Sequence, residues 1–387
     1  MTKRAEQLTA WIDEAGPELA ARSARHDADN TFVTENYTAL KEQGMFSALV
    51  PEDLGGGGVT HGEMCELLRR LGRHCGSTAL AVSMHQHLVA ATVWRHRQGL
   101  PGRPLLEKVA SGELVLVSTG ARDWLASNGE MTKVDGGYRL KAHKVFASGS
   151  PAGAMLLTSA PYEDPDDGWQ VLHFGVPFSA DGVRIDETWD AHGMRGTGSH
   201  TVVIDGAFVP DEAISLRRAR GEFHPAWNVI LTVALPLISS AYLGVAEAAA
   251  EMGRKFGRKS GDVTMAALVL GEMENELTMA QIAQESAIGL ANDYDFQPTA
   301  ELSSAILARK TIVAGAARRT VEKASEVAGG PGFFRTVGLE RLLRDVRAAH
   351  FHPLPEKKQQ LFTGRLSLGL DPIESEESGT GGSSKAA

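Results

Sequence analysis

Apolar residues recur at intervals of three and four through the first part of the chain, as in Leu8, Trp11 and Ile12 and again in Met64, Leu67, Leu68 and Leu71. That spacing lines one face of a helix and predicts an α domain over residues 1–113. Its strongest break is Val50-Pro51-Glu52-Asp53-Leu54 followed by Gly55 to Gly58, which suits a tight surface turn or a ligand contact. From Leu114 the period falls to two. Val115-Leu116-Val117, Tyr138-Arg139-Leu140, Met155-Leu156-Leu157-Thr158, Val171-Leu172-His173-Phe174 and Val202-Val203-Ile204 read as short strands. Turn signals such as Asp135-Gly136-Gly137 and Asp164-Pro165-Asp166-Asp167-Gly168 separate them, predicting a central β sandwich or barrel over 114–213. After Val209-Pro210 the helical period returns. Alanine-rich segments at 228–257, 264–292 and 299–328, then 338–350 and a shorter stretch after 356, predict a bundle over 214–372. Its apolar positions, among them Leu268, Met273, Leu277, Met279 and Ile282, exceed one inner face and point to contacts with partner subunits. Residues 373–387, almost all small, polar or acidic, cannot bury a core and are predicted to be disordered.

Composition narrows the class. With 43% hydrophobic and 22% charged residues and no uninterrupted apolar run of ~18, the chain reads as a soluble globular protein without a membrane partner. Glu6, Asp13, Glu14 and Glu18 near the start do not suit a targeting peptide, so a cytoplasmic location is expected. A net charge of -9 without a basic, aromatic-laced block argues against nucleic acid. Cys65 and Cys75 are too few for a disulfide framework or a four-cysteine zinc site, so no metal is expected.

Several local motifs, in order, carry a resemblance. They are Val50-Pro51-Glu52-Asp53-Leu54-Gly55-Gly56, Trp189-Asp190-Ala191-His192-Gly193-Met194-Arg195-Gly196-Thr197-Gly198-Ser199 before Phe208-Val209-Pro210, and Ala328-Gly329-Gly330-Pro331-Gly332-Phe333 before Leu342-Leu343-Arg344-Asp345-Val346-Arg347. Over roughly residues 5–372 the chain resembles the acyl-CoA dehydrogenase superfamily. The resemblance implies an α+β fold with an N-terminal α domain, a central β sandwich or barrel and a C-terminal four-helix bundle. It also implies FAD, or reduced FMN or FAD supplied by a reductase. The flavin would sit between β domain and bundle, completed by a neighbouring subunit of a homotetramer or homodimer.

The same resemblance nominates residues. Ser118 and Thr119, in Ser118-Thr119-Gly120, and Ser127, in Ser127-Asn128-Gly129, would offer neutral donors to the flavin; they also suit turn capping. In Lys144-Val145-Phe146-Ala147-Ser148, Phe146 would lie beside the isoalloxazine and the Ser148 hydroxyl would approach N5. Gly329, Gly330 and Gly332 would let bare backbone approach the phosphates, or would cap a helix. Arg254, in Arg254-Lys255-Phe256-Gly257-Arg258, matches with a one-position offset an arginine that meets the partner's flavin.

A dehydrogenase needs a carboxylate to remove the substrate's α proton. Counting from Arg344-Asp345, the family's glutamate falls on Pro353, and the alternative site on the first bundle helix falls on Gly261 or Arg254; Glu247, Glu251 and Glu356 are the acids nearby. His350-Phe351-His352-Pro353 is similar instead to the flavin monooxygenase branch typified by dibenzothiophene monooxygenase, in which an imidazole stands over a reduced flavin that activates dioxygen. His352 then becomes the candidate catalytic residue, with His85 of Ser83-Met84-His85-Gln86-His87 as second histidine and Ser148 beside them. A monooxygenase acting on a small apolar or aromatic substrate is the expectation. An acyl-CoA dehydrogenase with an unusual base and a non-catalytic scaffold are the alternatives.

Overall fold

A computed structural model describes residues 1–119 and 123–374; Gly120 and all but the first two residues of the predicted disordered tail, 373–387, lie outside the described residues. The first layer is helical: α1 (Lys3–Asp29), α2 (Thr34–Glu42), α3 (His61–His74), α4 (Gly76–Arg97) and α5 (Arg103–Gly112). The glycine run before α3 is a turn. Gly55 closes a short 3-10 segment at φ +85°, and a Cβ on Gly56 would stand 2.2 Å from the Val50 carbonyl. α3 then starts on a reciprocal cap, Thr60 accepting from the Glu63 amide while the Glu63 carboxylate accepts from the Thr60 amide. Cys65 and Cys75 are buried and unbridged, and the Cys75 sulfur accepts from the Thr78 amide at the head of α4.

The second layer holds two four-stranded sheets. One runs β1 (Leu116–Ser118), β4 (Met155–Asp164), β5 (Gly168–Pro177), β8 (Leu216–Ala219); the other runs β2 (Glu130–Val134), β3 (Gly137–Ala147), β7 (His200–Pro210), β6 (Val183–Asp186). Among the described residues only β1 and β4 pair in parallel; the remaining pairs are antiparallel. β8 carries the sandwich past residue 213, where the change of period placed its end. Its sequence, Leu-Arg-Arg-Ala, has no apolar alternation. Pairing with β5 and the bonds of Arg218 hold it instead.

In the third layer α6 (Ala226–Gly257), α7 (Val263–Ala291) and α8 (Ala300–Ala328) pack side by side, followed by α9 (Leu339–Val346) and α10 (Glu356–Ser367). The fourth predicted helix is shorter than its spacing suggested, because it tightens to 3-10 geometry over Arg347–His350. α6 is long and apolar enough to cross a membrane, but its apolar stretch is buried against α3, α4, α7 and α8. It reaches α3 through glycine. A Cβ on Gly72 would stand 2.4 Å from the Ala241 carbonyl, and one on Gly244 would stand 2.1 Å from the Arg69 carbonyl. That contact fixes the rotation and height of α6, and with them the side chain of Tyr242.

Candidate active site

On the helical side four residues from four elements converge. Tyr242, fully buried on α6, places its hydroxyl 2.6 Å from Nε2 of His352, in the loop between the 3-10 turn and α10. Lys310, buried on α8, donates to the carbonyls of His352 at 2.9 Å and Leu354 at 3.2 Å. It thereby ties the loop on both sides of the imidazole. His87, on α4, lies near enough to bear on the protonation of His352. Burial, helped by the Lys310 cation and His87, pulls His352 down to about 3; burial also brings His87 down to about 4 and Lys310 down to about 8. Burial pushes the Tyr242 phenol well up, so its proton stays on. The pocket is therefore a neutral imidazole pair beside a protonated phenol and one ammonium.

On the β side, a bulge between Lys144 and Ala147 turns Phe146 outward at φ +59°. A non-glycine residue in the left-handed region costs of order 1–3 kcal/mol, yet here it presents a half-exposed aromatic face, braced edge-on by Trp189 at 6.1 Å. Ser148 follows, its hydroxyl 2.7 Å from that of Ser199, which is 2.7 Å from that of Thr197. The helical side connects to this strip through α9, where the buried Asp345 carboxylate accepts from the Met194 amide. A Cβ on Gly193 would lie 2.3 Å from the Arg344 carbonyl, so only glycine lets α9 come so near.

Other nominated residues are engaged elsewhere. His85, the expected second histidine, is fully buried, with Nδ1 accepting from the Leu116 amide at 2.9 Å and Nε2 donating to the Phe46 carbonyl at 2.8 Å. Both ring nitrogens are taken, and the histidine of this motif that bears on His352 is His87, two residues on. Thr119 and Ser127 face inward, hydrogen-bonded to Asp123 and to Thr158 or Ser159. They belong to a buried polar knot in which Lys144 donates to Asp123 at 2.9 Å, Asn128 O at 2.8 Å and Ser159 O at 2.6 Å. Arg218 closes that knot from β8, its Nε donating to His173 at 3.0 Å. Ser118 is buried at the end of β1, and its hydroxyl has no protein hydrogen bond among the described residues. Arg254 pairs with Glu274 of α7 through two bonds, at 2.6 and 2.8 Å, and so ties helix to helix within the chain. Gly329 caps α8 at φ +59°, ψ -145°, and Gly332 packs against Ala328. Gly329 and Gly330 are exposed, with open space where a Cβ would be.

The acids are equally informative. Glu247 pairs with Arg69 and accepts from Gln281, Glu251 pairs with Arg73 and Lys255, and Glu356 accepts from Gln360 on the surface of α10. Among the described residues no carboxylate hydrogen-bonds to His352, His87 or Tyr242, and no group of three His, Cys, Asp or Glu side chains converges as a metal ion would require.

Residues 6–113 match the model for the acyl-CoA dehydrogenase N-terminal domain, and residues 236–355 match one for the acyl-CoA dehydrogenase C-terminal domain. The chain belongs to the acyl-CoA dehydrogenase superfamily. Among its superfamily relatives, the amino sugar nitrososynthase DnmZ of Streptomyces peucetius is 28% identical, across 95% of this chain and 94% of that protein. The oxygenase subunit HsaA, a flavin-dependent monooxygenase of Rhodococcus jostii, is 23% identical across 93% of this chain and 98% of its own. A solved nitrososynthase from Micromonospora carbonacea var. africana superposes with a TM-score of 0.86 at 25% identity, covering 96% of this chain and 98% of the other. This superfamily member is a flavin-dependent oxidoreductase. On the β-side strip the half-exposed Phe146 ring presents an aromatic face, with the Ser148 hydroxyl two residues on, a residue chemistry that suits a flavin ring.

Proposed function

We propose that this protein is a monooxygenase that takes up reduced flavin and transfers one oxygen atom to a small apolar or aromatic substrate, by hydroxylation or by oxygenation of nitrogen or sulfur. The observation that carries the reading is the residue set at the helical pocket. Where α-proton removal demands a carboxylate this chain has Pro353; beside it stands His352, neutral and bonded to Tyr242, and the three nearby glutamates are committed elsewhere. Bound reduced flavin supplies the electrons that activate dioxygen. The chain's part is to stack the ring on Phe146, to offer Ser118 and Ser148 to its polar edge, and to hold uncharged donors in a dry pocket. A neutral imidazole can donate a hydrogen bond from one ring nitrogen and accept one at the other while bringing no net charge into the pocket.

The assembly proposed is a homotetramer or homodimer in the cytoplasm, served by a separate flavin reductase. Met265, Leu268, Met279 and Ile282 on α7 and Ile312 on α8 are exposed in the single chain, and this apolar exposure supports that reading.

Flavin titration followed by turnover tests the reaction. Purified protein supplied with reduced FMN and air should consume oxygen in step with an oxygenated product, and His352→Ala should divert most of that oxygen to hydrogen peroxide. FAD that copurifies tightly and is bleached anaerobically by an acyl-CoA would establish the dehydrogenase reading in its place.

A further inference from the structure

We propose that Tyr242 and Lys310 act as positioning residues that fix His352 in one tautomer, protonated on Nδ1, so that its free N–H is aimed before any substrate arrives. The inference rests on the oxygenase reading for its purpose, though not for its geometry. The Tyr242 hydroxyl has His352 Nε2, at 2.6 Å, as its hydrogen-bond partner among the described residues. A buried hydroxyl that accepted there would leave its own hydrogen without an acceptor, so the phenol donates and Nε2 accepts. A neutral ring whose Nε2 accepts must carry its proton on Nδ1. That nitrogen has no protein hydrogen bond among the described residues, and the side chain is only partly buried.

Lys310 does the second half of the work. Its two bonds hold the peptide carbonyls of His352 and Leu354, which prevents the loop from turning the ring away from Tyr242. Its ammonium has no carboxylate in contact among the described residues. Of the charges around it, Glu356 on α10 acts on the ammonium without touching it, His350 stands at the end of the 3-10 turn, His87 bears on the imidazole from α4, and Asp345 on α9 accepts from the Met194 amide. A nearby cation without a salt bridge opposes a second proton on the ring, and the single-proton state is the one that can be a tautomer at all. An uncharged side chain could tie the loop; a cation there also adds to the burial that already opposes imidazolium.

Solid-state 15N NMR of histidine-labelled protein reads this directly, with the His352 resonances assigned by their loss in His352→Gln. At pH 7 the wild-type ring should show a protonated Nδ1 and a bare Nε2. Tyr242→Phe, which keeps the ring volume, should move the proton to Nε2, the form a free neutral imidazole prefers. Lys310→Met should raise the His352 midpoint by at least about one unit toward the ordinary histidine value of about 6.5. If Lys310→Met does not fold, Lys310→Gln, which keeps donors for the carbonyls and removes the charge, serves the same purpose. A wild-type ring protonated on Nε2, a tautomer unmoved in Tyr242→Phe, or a midpoint unmoved in the Lys310 variant would each overturn the proposal. Titrating FMN and reduced FMN into the same samples separates the two claims. Protein that binds neither flavin defeats the oxygenase reading and leaves the tautomer result standing. With binding intact, Tyr242→Phe should release about tenfold more peroxide per oxygenated product; unchanged coupling would show that the tautomer has no part in the chemistry.

Discussion

Lys144 in the sandwich and Lys310 in the bundle are both withdrawn from water, yet only Lys144 meets a carboxylate. Around Lys144 are Asp123 and two carbonyls, and Asp123 in turn accepts from Thr119, Ser127 and Thr158. That charge is matched where it stands, and its effect is to lock the strand connection beneath the Phe146 bulge. Lys310 meets only carbonyls. Its charge is left to act on its neighbours, among them the rings of His352 and His350. A matched buried charge stiffens the structure, whereas an unmatched one sets the protonation of what lies beside it.

The comparison is broken most directly by removing each ammonium. Lys144→Met strands the Asp123 carboxylate inside the sandwich and should cost about 3–5 kcal/mol. Lys310→Met leaves two carbonyls short of a donor and should cost about 1–2 kcal/mol. Urea denaturation of both variants measures the gap; equal losses would mean that Lys310 is matched as well.

The histidines sharpen the same distinction. His85→Ala removes two bonds to backbone groups that stay buried and should lose about 2–4 kcal/mol. His87→Ala, with one long bond of 3.4 Å to the Ser83 carbonyl, should lose about 1 kcal/mol and instead damage oxygen transfer. Thermal unfolding and peroxide release, measured on both, separate the fastening ring from the working one.

Acid gives the next effect. His85, His87, His173 and His352 sit at about 4, 4, 3 and 3 when folded, because burial opposes their charged forms, and near 6.5 when unfolded. The unfolded chain therefore takes up protons first. Stability is complete above pH 6.5 and falls as pH drops toward 4, with each imidazole contributing a slope of up to about 1.4 kcal/mol per pH unit. Asp345, raised by burial to about 6, works the other way between pH 6 and 4, as does Glu113, also raised by burial, but the lowered histidines outnumber them. His352→Gln should flatten the decline by one imidazole's share. Lys310, lowered to about 8, adds stability only as pH rises above that value, so it leaves the acid limb untouched.

The smallest effect belongs to Phe146. Phe146→Asn places a residue tolerant of the left-handed region at φ +59° and should change stability by less than about 1 kcal/mol. Loss of one aromatic face should still weaken flavin binding by about 0.5–1.5 kcal/mol, which fluorescence titration resolves.

The sequence was most readable where one period ran long. The boundaries of α6, α7 and α8 fall within two residues of the spacing of their apolar positions. β2, β6 and β8 were not readable, because short strands such as Val183–Asp186 and Leu216–Ala219 are mostly polar and are held by their neighbours. In the site, the motif around residue 85 was visible but its phase was not. α4 is buried nearly all round, so no solvent face tells His85 from His87, although two residues on a helix point about 200° apart. Ser127 and Thr119 matched in type and faced the wrong way, since Lys144 and Asp123 draw both hydroxyls inward. Tyr242 and Lys310 carried no local signal. Their relation to His352 spans 110 and 42 residues, and a lysine in an alanine-rich helix reads as a surface cation.

Where α3 crosses α6, no atom is available to yield: Gly72 and Gly244 each leave less room than a methyl group needs. The helix that carries Tyr242 can therefore neither slide nor roll, and the aim of the histidine is inherited from a crossing that touches neither ring. Alanine at position 244 would be a mutation of the active centre in every sense except location.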